Sequence, residues 1–283
     1  MDSYSILMSV YAGENPVYFK LCIQSIVNQT VLADEIIIVC DGPLTEELDN
    51  VLDCFVREYP NLFKIIRLQR NVGIGVAANE GLKHCKNELI AKMDSNDIAV
   101  PERCELQLKR FAESPDLTVL GGYIEEFDKD SEKGFSIREV PLTNEEIRKY
   151  ARRRQPFNNV TVMYKKSAVV SVGGYNNLRR GEDYDLYIRL LKAGYYTENL
   201  SNILVKVRVE QNIQVKRHSF ETFKGFVQTR WNTFRIGYSS IIDFMICFFA
   251  ELIVFICPNK LQHIIYKKFL RKSINNPKNV NSE

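Results

Sequence analysis

The seven cysteines of this chain (residues 22, 40, 54, 85, 104, 247 and 257) include no Cys-x-x-Cys pair. A structural zinc site is therefore not expected. Most of these cysteines lie in apolar contexts, where Cys is a small core residue, and their odd number suits a reducing compartment. The opening stretch "MDSYSILMSVY" has neither a basic n-region nor a long apolar h-region, so export is not expected. Internal repeats and low-complexity stretches are absent. No recognition motif accompanies the basic residues, which leaves nucleic acid out as an expected partner. The run "IIDFMICFFAELIVFIC" at 241–257 is strongly apolar but is interrupted by Asp243 and Glu251. Crossing a bilayer takes about 20 predominantly apolar residues. A carboxylate near the helix centre costs roughly 2.5–3.5 kcal/mol, so a membrane span is not expected.

What is present is a folding composition: 283 residues, 45% hydrophobic and 26% charged. That length suits one large domain, or one domain with an appendage. The net charge of +3 conceals an asymmetry. Residues 1–199 carry 25 Lys/Arg against 30 Asp/Glu, whereas residues 200–283 carry 13 against 5. Such a split predicts an acidic body with a basic tail that meets an anionic surface.

Compact β-branched runs recur through the first hundred residues. Residues 6–10, 35–40 ("EIIIVC"), 63–68 and 89–93 read as strands, with helical patterns at 16–28, 45–59 and 76–85 between them. This alternation predicts an α/β fold with a parallel sheet and a ligand crevice at the strands' carboxyl ends. Tyr11, Asp41, Asn71 and Asp94 fall at four successive exits. Beyond residue 114 the rhythm is less regular, with strands expected at 117–127, 160–164 and 203–209. Helices are expected at 143–154, ending in Arg152–Arg154, and at 181–194, closed by Gly194.

Four oxygen-bearing side chains, Asp94, Ser95, Asn96 and Asp97, stand in a row where the fourth strand ends. Carboxylates so close repel each other, and a hard divalent cation bound through oxygen relieves that repulsion. The same run also reads as a surface turn next to a helix N-terminus. Asp41 in "VCDGP" reads either as Asp-Gly turn chemistry or as an acceptor for a nucleobase N–H or ribose hydroxyl. Gly73-x-Gly75-x-x-Ala78 matches a dinucleotide fingerprint. It follows the third strand, whereas that fingerprint belongs after the first. An NAD-type oxidoreductase is thus the weaker rival, and a non-catalytic binding module is another. The glycines are read as allowing close backbone approach, with the helix behind them packed on the sheet.

These residues carry a resemblance. "SVYAGENP", "VCDGPLTEEL", "NVGIGVAANEGL", "MDSNDIAVPER", "MYKKSAVVSVGGY" and "GEDYDLYIRLLKAG" occur in the order and approximate spacing of family 2 glycosyltransferases. The chain most resembles the bacterial branch that builds capsule, exopolysaccharide or lipopolysaccharide. The resemblance covers about residues 4–210. It implies a GT-A fold, a nucleotide-sugar donor (UDP-linked by default), a divalent metal (Mn²⁺ or Mg²⁺) and inversion at the anomeric carbon. By motif, Tyr11, Asp41, Asn71 and Gly73 would meet the nucleoside. Asp94 and Ser95 would meet the diphosphate, and Asp94, Asn96 and Asp97 would hold the metal; Asn96 stands where the family more often has Asp. Glu182-Asp183 would be the catalytic pair, with Asp183 as base. The implied domain is 1–210, divided into a nucleotide-binding half at 1–114 and an acceptor-side half at 115–210.

Residues 211–283 are expected to form a helical extension. The segment "KLQHIIYKKFLRK" at 260–272 places Leu261, Ile264, Ile265 and Phe269 on one stripe flanked by lysines and arginine. A basic amphipathic helix of this kind suits an anionic membrane surface; docking on the body is the other reading. Trp231, Phe223, Phe226 and Phe234 are expected to pack, and Arg152–Arg154 to be a solvated helix end. The expected setting is cytoplasmic, peripheral on the inner face of a bacterial plasma membrane. The expected acceptor is a glycan or polyprenyl-linked oligosaccharide.

Overall fold

Four short apolar runs build the centre of the structure, a computed structural model that describes residues 3–128, 134–178, 180–209, 220–256 and 272–273. Strands β1 (Tyr4–Val10), β2 (Glu35–Cys40), β3 (Phe63–Arg67) and β4 (Leu89–Asp94) pair in parallel in the order β3-β2-β1-β4. All six residues of β2 are buried. A central parallel strand is covered on both faces, which is why its sequence reads as a continuous apolar run.

Helices α1 (Pro16–Val27), α2 (Glu46–Glu58) and α3 (Ile74–His84) make the crossovers. The Asn15 side chain accepts from the Val17 and Tyr18 amides, and that of Thr45 accepts from the Leu48 amide, so two helix starts are capped as their sequences predict. Helix α3 begins after Gly73, whose φ of +91° favours glycine. A Cβ at Gly81 would collide with Leu7 and Val39, so α3 lies against β1 and β2 as expected.

The second half extends the sheet with mixed polarity. It comprises β5 (Ile98–Ala99), α4 (Arg103–Glu113), β6 (Leu117–Asp128), β7 (Gly134–Arg138), α5 (Asn144–Ala151), β8 (Met163–Lys165), α6 (Lys166–Ser171), α7 (Glu182–Lys192) and β9 (Tyr196–Val209). Strand β8 is a short antiparallel wedge between β4 and β6. β6 pairs with β7 antiparallel and with β9 parallel, and Lys272–Ser273 adds a further strand at the β7 edge.

Side chains on the two sheet faces enter two cores. Ile6, Met8, Ile36 and Ile38 face α1, α2 and α4, while Leu7, Ile37, Val39 and Ile90 face α3, α6 and α7.

Three elements differ from the sequence reading. The strand expected at 160–164 is a 3-10 turn at Asn159–Thr161 followed by β8. There the Thr161 hydroxyl bonds to Asn158 O (2.7 Å) and accepts from the Gly122 amide (3.0 Å), replacing ladder bonds with side-chain ones. The last strand begins at Tyr196, not Ile203, because it pairs with β6 along most of its length. The helix expected at 143–154 stops at Ala151.

Beyond the sheet, α8 (Phe220–Arg235) and α9 (Ile241–Ile256) form an antiparallel pair. Phe223 meets Phe255 (5.2 Å between ring centroids), and Trp231 meets Phe244 (5.3 Å). The aromatic residues thus pack, as expected. Arg152–Arg154 are exposed, as expected of a solvated end, but Arg152 and Arg153 are also tied down. Both pair with Asp243 at 2.6 Å, and Asp243 is buried at the start of α9. Among the described residues, no helix is long and apolar enough to cross a membrane. The helix expected at 260–272 lies outside the described residues apart from Lys272.

Candidate active site

The strand exits carry polar groups because parallel strands end level with one another. The Asp41 amide donates to Val10 O at 2.7 Å, bringing the ends of β1 and β2 together. The Asp41 carboxylate accepts from the Val72 amide (2.7 Å) and the Gly73 amide (3.1 Å), and Asn71 Nδ2 donates to Asp41 O (3.3 Å). Asp41, Asn71 and Gly73 therefore form one cluster. A Cβ at Gly42 would lie 2.8 Å from the Asn71 nitrogen, so the loops after β2 and β3 touch only because position 42 is glycine. Each Asp41 oxygen keeps a further lone pair for a ligand. Tyr11, just past the end of β1, is half exposed.

Asp94 ends β4 in register with Ser9 of β1. Ser95 Oγ donates to Glu14 Oε2 at 2.7 Å, tying this turn to the loop after β1. Asp97 is buried, and its Oδ1 accepts from the Arg208 amide at 2.9 Å, which fastens the end of β9 to the corner. The Arg208 guanidinium lies 4.0 Å from the Tyr18 ring centroid and 4.6 Å from that of Phe127, and its Nε donates to Asn96 O at 3.4 Å. Desolvation pushes the Asp94 carboxyl above its ordinary range, with Lys92 and Arg103 opposing. Desolvation and then Asp94 push Asp97 well above its own, against the Arg208 amide.

Two crowded carboxylates with an amide oxygen beside them are a hard-oxygen donor set. Among the described residues there is no cluster of three or more His, Cys, Asp or Glu suited to a metal. A cation of the Mg²⁺ or Mn²⁺ type needs only one or two carboxylates from the protein and takes its other ligands from phosphate and water.

The Glu182-Asp183 pair opens α7 after Gly181, whose φ is +74°. Asp183 Oδ1 accepts from the Tyr184 amide (2.7 Å) and Oδ2 from Gln155 Nε2 (2.6 Å). A Cβ at Gly75 would lie 3.3 Å from Glu182 Cγ, so that glycine makes room for α7 against α3. Its place in the fingerprint-like run is thus explained by packing. Desolvation, then Asp183 and Asp94, raise the Glu182 carboxyl to about 7. Desolvation raises that of Asp183 as well, opposed by the bonds from Tyr184 and Gln155.

Lys92 was not among the expected site residues. It points to the same face as Asp94, two residues on, and is 2% exposed. Desolvation lowers its pKa, with Asp94 and Glu182 opposing. A lysine inside "LIAKMD", an otherwise apolar strand, was the available signal. Gln155 had no such signal, since its partner lies 28 residues away.

A mixed sheet with a carboxylate corner at the end of its fourth strand and an acidic helix start at α7 has the GT-A type of architecture. Solved structures agree in fold. The mannosyltransferase PcManGT from Pyrobaculum calidifontis, in complex with GDP-Man and Mn²⁺, has a TM-score of 0.65 at 14% identity, covering 92% of this chain and 71% of that one. S. aureus TarS 1–349 has a TM-score of 0.59 at 15% identity, covering 80% of this chain and 64% of that one. Residues 5–179 match the model of glycosyl transferase family 2, and the chain belongs to that family. It is 38% identical to an uncharacterized glycosyltransferase of Haemophilus influenzae, over 95% of this chain and 99% of that protein. It is 34% identical to the Escherichia coli UDP-Gal:alpha-D-GlcNAc-diphosphoundecaprenol beta-1,3-galactosyltransferase, over 95% and 97%. It is 32% identical to the amylovoran biosynthesis glycosyltransferase AmsE of Erwinia amylovora, over 94% and 98%. The protein is a glycosyltransferase.

Proposed function

We propose that the chain transfers a sugar from a UDP-linked donor to a polyprenyl-diphosphate-linked glycan, with inversion, in surface polysaccharide synthesis at the cytoplasmic face of the membrane. The observation that carries this reading is a chain of contacts: the Asp41 carboxylate holds the Val72 and Gly73 amides, Gly75 two residues on packs against Glu182, and Asp94 is electrostatically coupled to Glu182 and Asp183. The names of the E. coli and Erwinia relatives supply the donor, acceptor and polymer classes.

Tyr11, Asp41 and Asn71 would receive the nucleoside, with Gly73 admitting it close to the backbone. Asp94, with the Asn96 amide oxygen and Asp97, would hold the cation. When bound, Mn²⁺ or Mg²⁺ supplies charge neutralisation for the departing diphosphate. Asp183 takes the proton of the acceptor hydroxyl while that oxygen bonds to the anomeric carbon. The bond from this carbon to the diphosphate oxygen breaks, and its electron pair leaves on the diphosphate. Attack opposite the leaving group inverts the centre. Gln155 fixes the orientation of Asp183, and Glu182 and the incoming diphosphate keep its basicity up by like-charge repulsion.

The test is a panel of UDP-galactose, UDP-GlcNAc and GDP-mannose, assayed by thermal shift with and without Mn²⁺. A metal-dependent shift with a UDP-sugar is expected, along with loss of transfer in chelator and its return with Mn²⁺. Asp183→Asn should keep that shift and lose roughly 10²–10⁴-fold in turnover. Full activity in chelator would remove the metal corner, and near-normal turnover of folded Asp183→Asn would remove the base.

A further inference from the structure

We infer that the α8–α9 hairpin is part of the catalytic centre, with Arg230 of α8 as a positioning residue that holds the start of α7 and hence Asp183. The inference rests on the reading of Asp183 as the base. The family match ends at residue 179, so α7 and the hairpin both lie outside the matched region.

The geometry is a closed ring of contacts. The Arg230 guanidinium lies 3.9 Å from the centroid of the Tyr184 ring and 4.9 Å from that of Phe226. Tyr184 follows Asp183, and its amide is one of the two donors to that carboxylate, at 2.7 Å. The Tyr184 hydroxyl donates to Ala151 O at 2.6 Å, where the segment 152–155 begins. That segment ends at Gln155, the other donor to Asp183, at 2.6 Å. Between these two points Arg152 and Arg153 bind Asp243 of α9. The ring therefore runs from α9 through 152–155 to Asp183, then through Tyr184 and Arg230 back into α8. Next to it, Thr229 Oγ1 shares its proton between Gly225 O (2.9 Å) and Arg180 O (3.2 Å), and a Cβ at Gly181 would come within 3.0 Å of Thr229 Oγ1. Both donors that aim the base are thus set by contacts with the hairpin.

Packing alone does not account for Arg230. It is 8% exposed, and its Nη1 has no hydrogen-bond partner. A buried guanidinium with an unsatisfied donor is a poor space-filler compared with an apolar side chain of similar volume. What the flat cation provides is a rigid stack on the ring beside the base. Small misplacement of a reacting group is enough to slow transfer by large factors.

The experiment compares Arg230→Met, Arg230→Lys, Asp243→Asn and Asp183→Asn in the full-length chain. Donor and acceptor are UDP-galactose and an N-acetylglucosaminyl-diphosphate lipid. Binding of UDP with Mn²⁺ is measured separately, and hydrogen exchange is followed in peptides covering 180–187 and 89–94. Arg230→Met is expected to lower kcat roughly 10- to 100-fold, with UDP affinity unchanged. Exchange should quicken in 180–187 and not in 89–94. Arg230→Lys should recover part of the loss, and Asp243→Asn should shift kcat and exchange in the same direction from the other side of the ring. Unchanged exchange at 180–187 in Arg230→Met, wild-type kcat in that variant, or a parallel fall in UDP affinity would overturn the inference. Should Arg230→Met not fold, Arg230→Lys and Asp243→Asn decide by the same readouts. Turnover by Asp183→Asn would instead remove the base assignment, a result distinct from loss of the brace.

Discussion

Glu182 is where the acidity of the cleft becomes measurable. Its carboxyl is raised to about 7, chiefly by desolvation and then by Asp183 and Asp94. A folded-state value above the unfolded one means that the folded protein takes up the proton more readily. The stability from this group is complete below pH 4.5 and is lost as the pH rises through 7. Glu182→Gln is neutral at every pH. In chelator it should melt higher than the wild type at pH 8, by about 1–2 kcal/mol or roughly 3–6 °C, and equally at pH 4.5. An equal melting temperature at pH 8 would mean the carboxyl is not crowded. Lys92 acts in the opposite sense on Asp94 and Glu182. Lys92→Met should therefore move the acid limb of the pH–rate profile to higher pH, and an unmoved limb would place the ammonium outside the electrostatics of the site. These two positions also divide what was legible from what was not. Glu182 belongs to a motif with a recognisable order in the chain. Lys92 is a single charge in an apolar strand, and its meaning depends on α7, ninety residues downstream.

At the scale of elements, strands β1 to β4 were legible because strands buried on both faces must be apolar at every position, and that leaves a local signature. Strand β8 was misplaced by a few residues because Thr161 satisfies the backbone with its own hydroxyl, which no period reveals. The ion pairs of Arg152 and Arg153 were not legible for a similar reason: their partner, Asp243, is about ninety residues away. Burial alone would raise the Asp243 carboxyl. Bonds from the Ser240 hydroxyl and amide, and from Arg153 and Arg152, outweigh that and hold it well below the carboxylate range. The stability it contributes is present above about pH 4 and is lost as the pH falls through the folded value. Asp243→Ala removes these charge-assisted bonds but leaves two half-exposed arginines that water can solvate. Its cost is therefore about 2–3 kcal/mol, read as a lower denaturation midpoint at pH 7. The difference from wild type should shrink toward pH 2. A variant as stable as the wild type at pH 7 would mean that the helix pair is held by its apolar contacts alone.

The whole molecule has two charge regimes and a hairpin with two faces. The inner face of α9 carries Asp243 and packs on the body. Outward, Ile242, Ile246, Phe249, Ile253 and Ile256 are exposed at helical spacing. The chain that follows has Lys260, Lys267, Lys268, Arg271 and Lys272. An apolar stripe followed in the sequence by cations is the pattern expected of a segment that meets anionic lipid, where area and charge contribute together. Deleting 239–283 tests attachment poorly, because it also removes Asp243, which binds Arg152 and Arg153 just before the Gln155 that bonds Asp183. Substituting only the outer stripe separates the two roles. The full chain should co-sediment with vesicles containing anionic lipid, less so as salt shortens the Debye length from about 10 Å at 0.1 M to about 3 Å at 1 M. Ile242→Glu, Phe249→Glu and Ile253→Glu together should abolish co-sedimentation while leaving kcat for a short-chain, water-soluble acceptor intact. Turnover of vesicle-embedded acceptor should then fall through KM. If the triple variant still binds vesicles, the stripe is not the lipid-facing surface. If it loses kcat on the soluble acceptor too, the outer face of α9 is coupled to the base as its inner face is, and membrane binding and transfer belong to one mechanical unit.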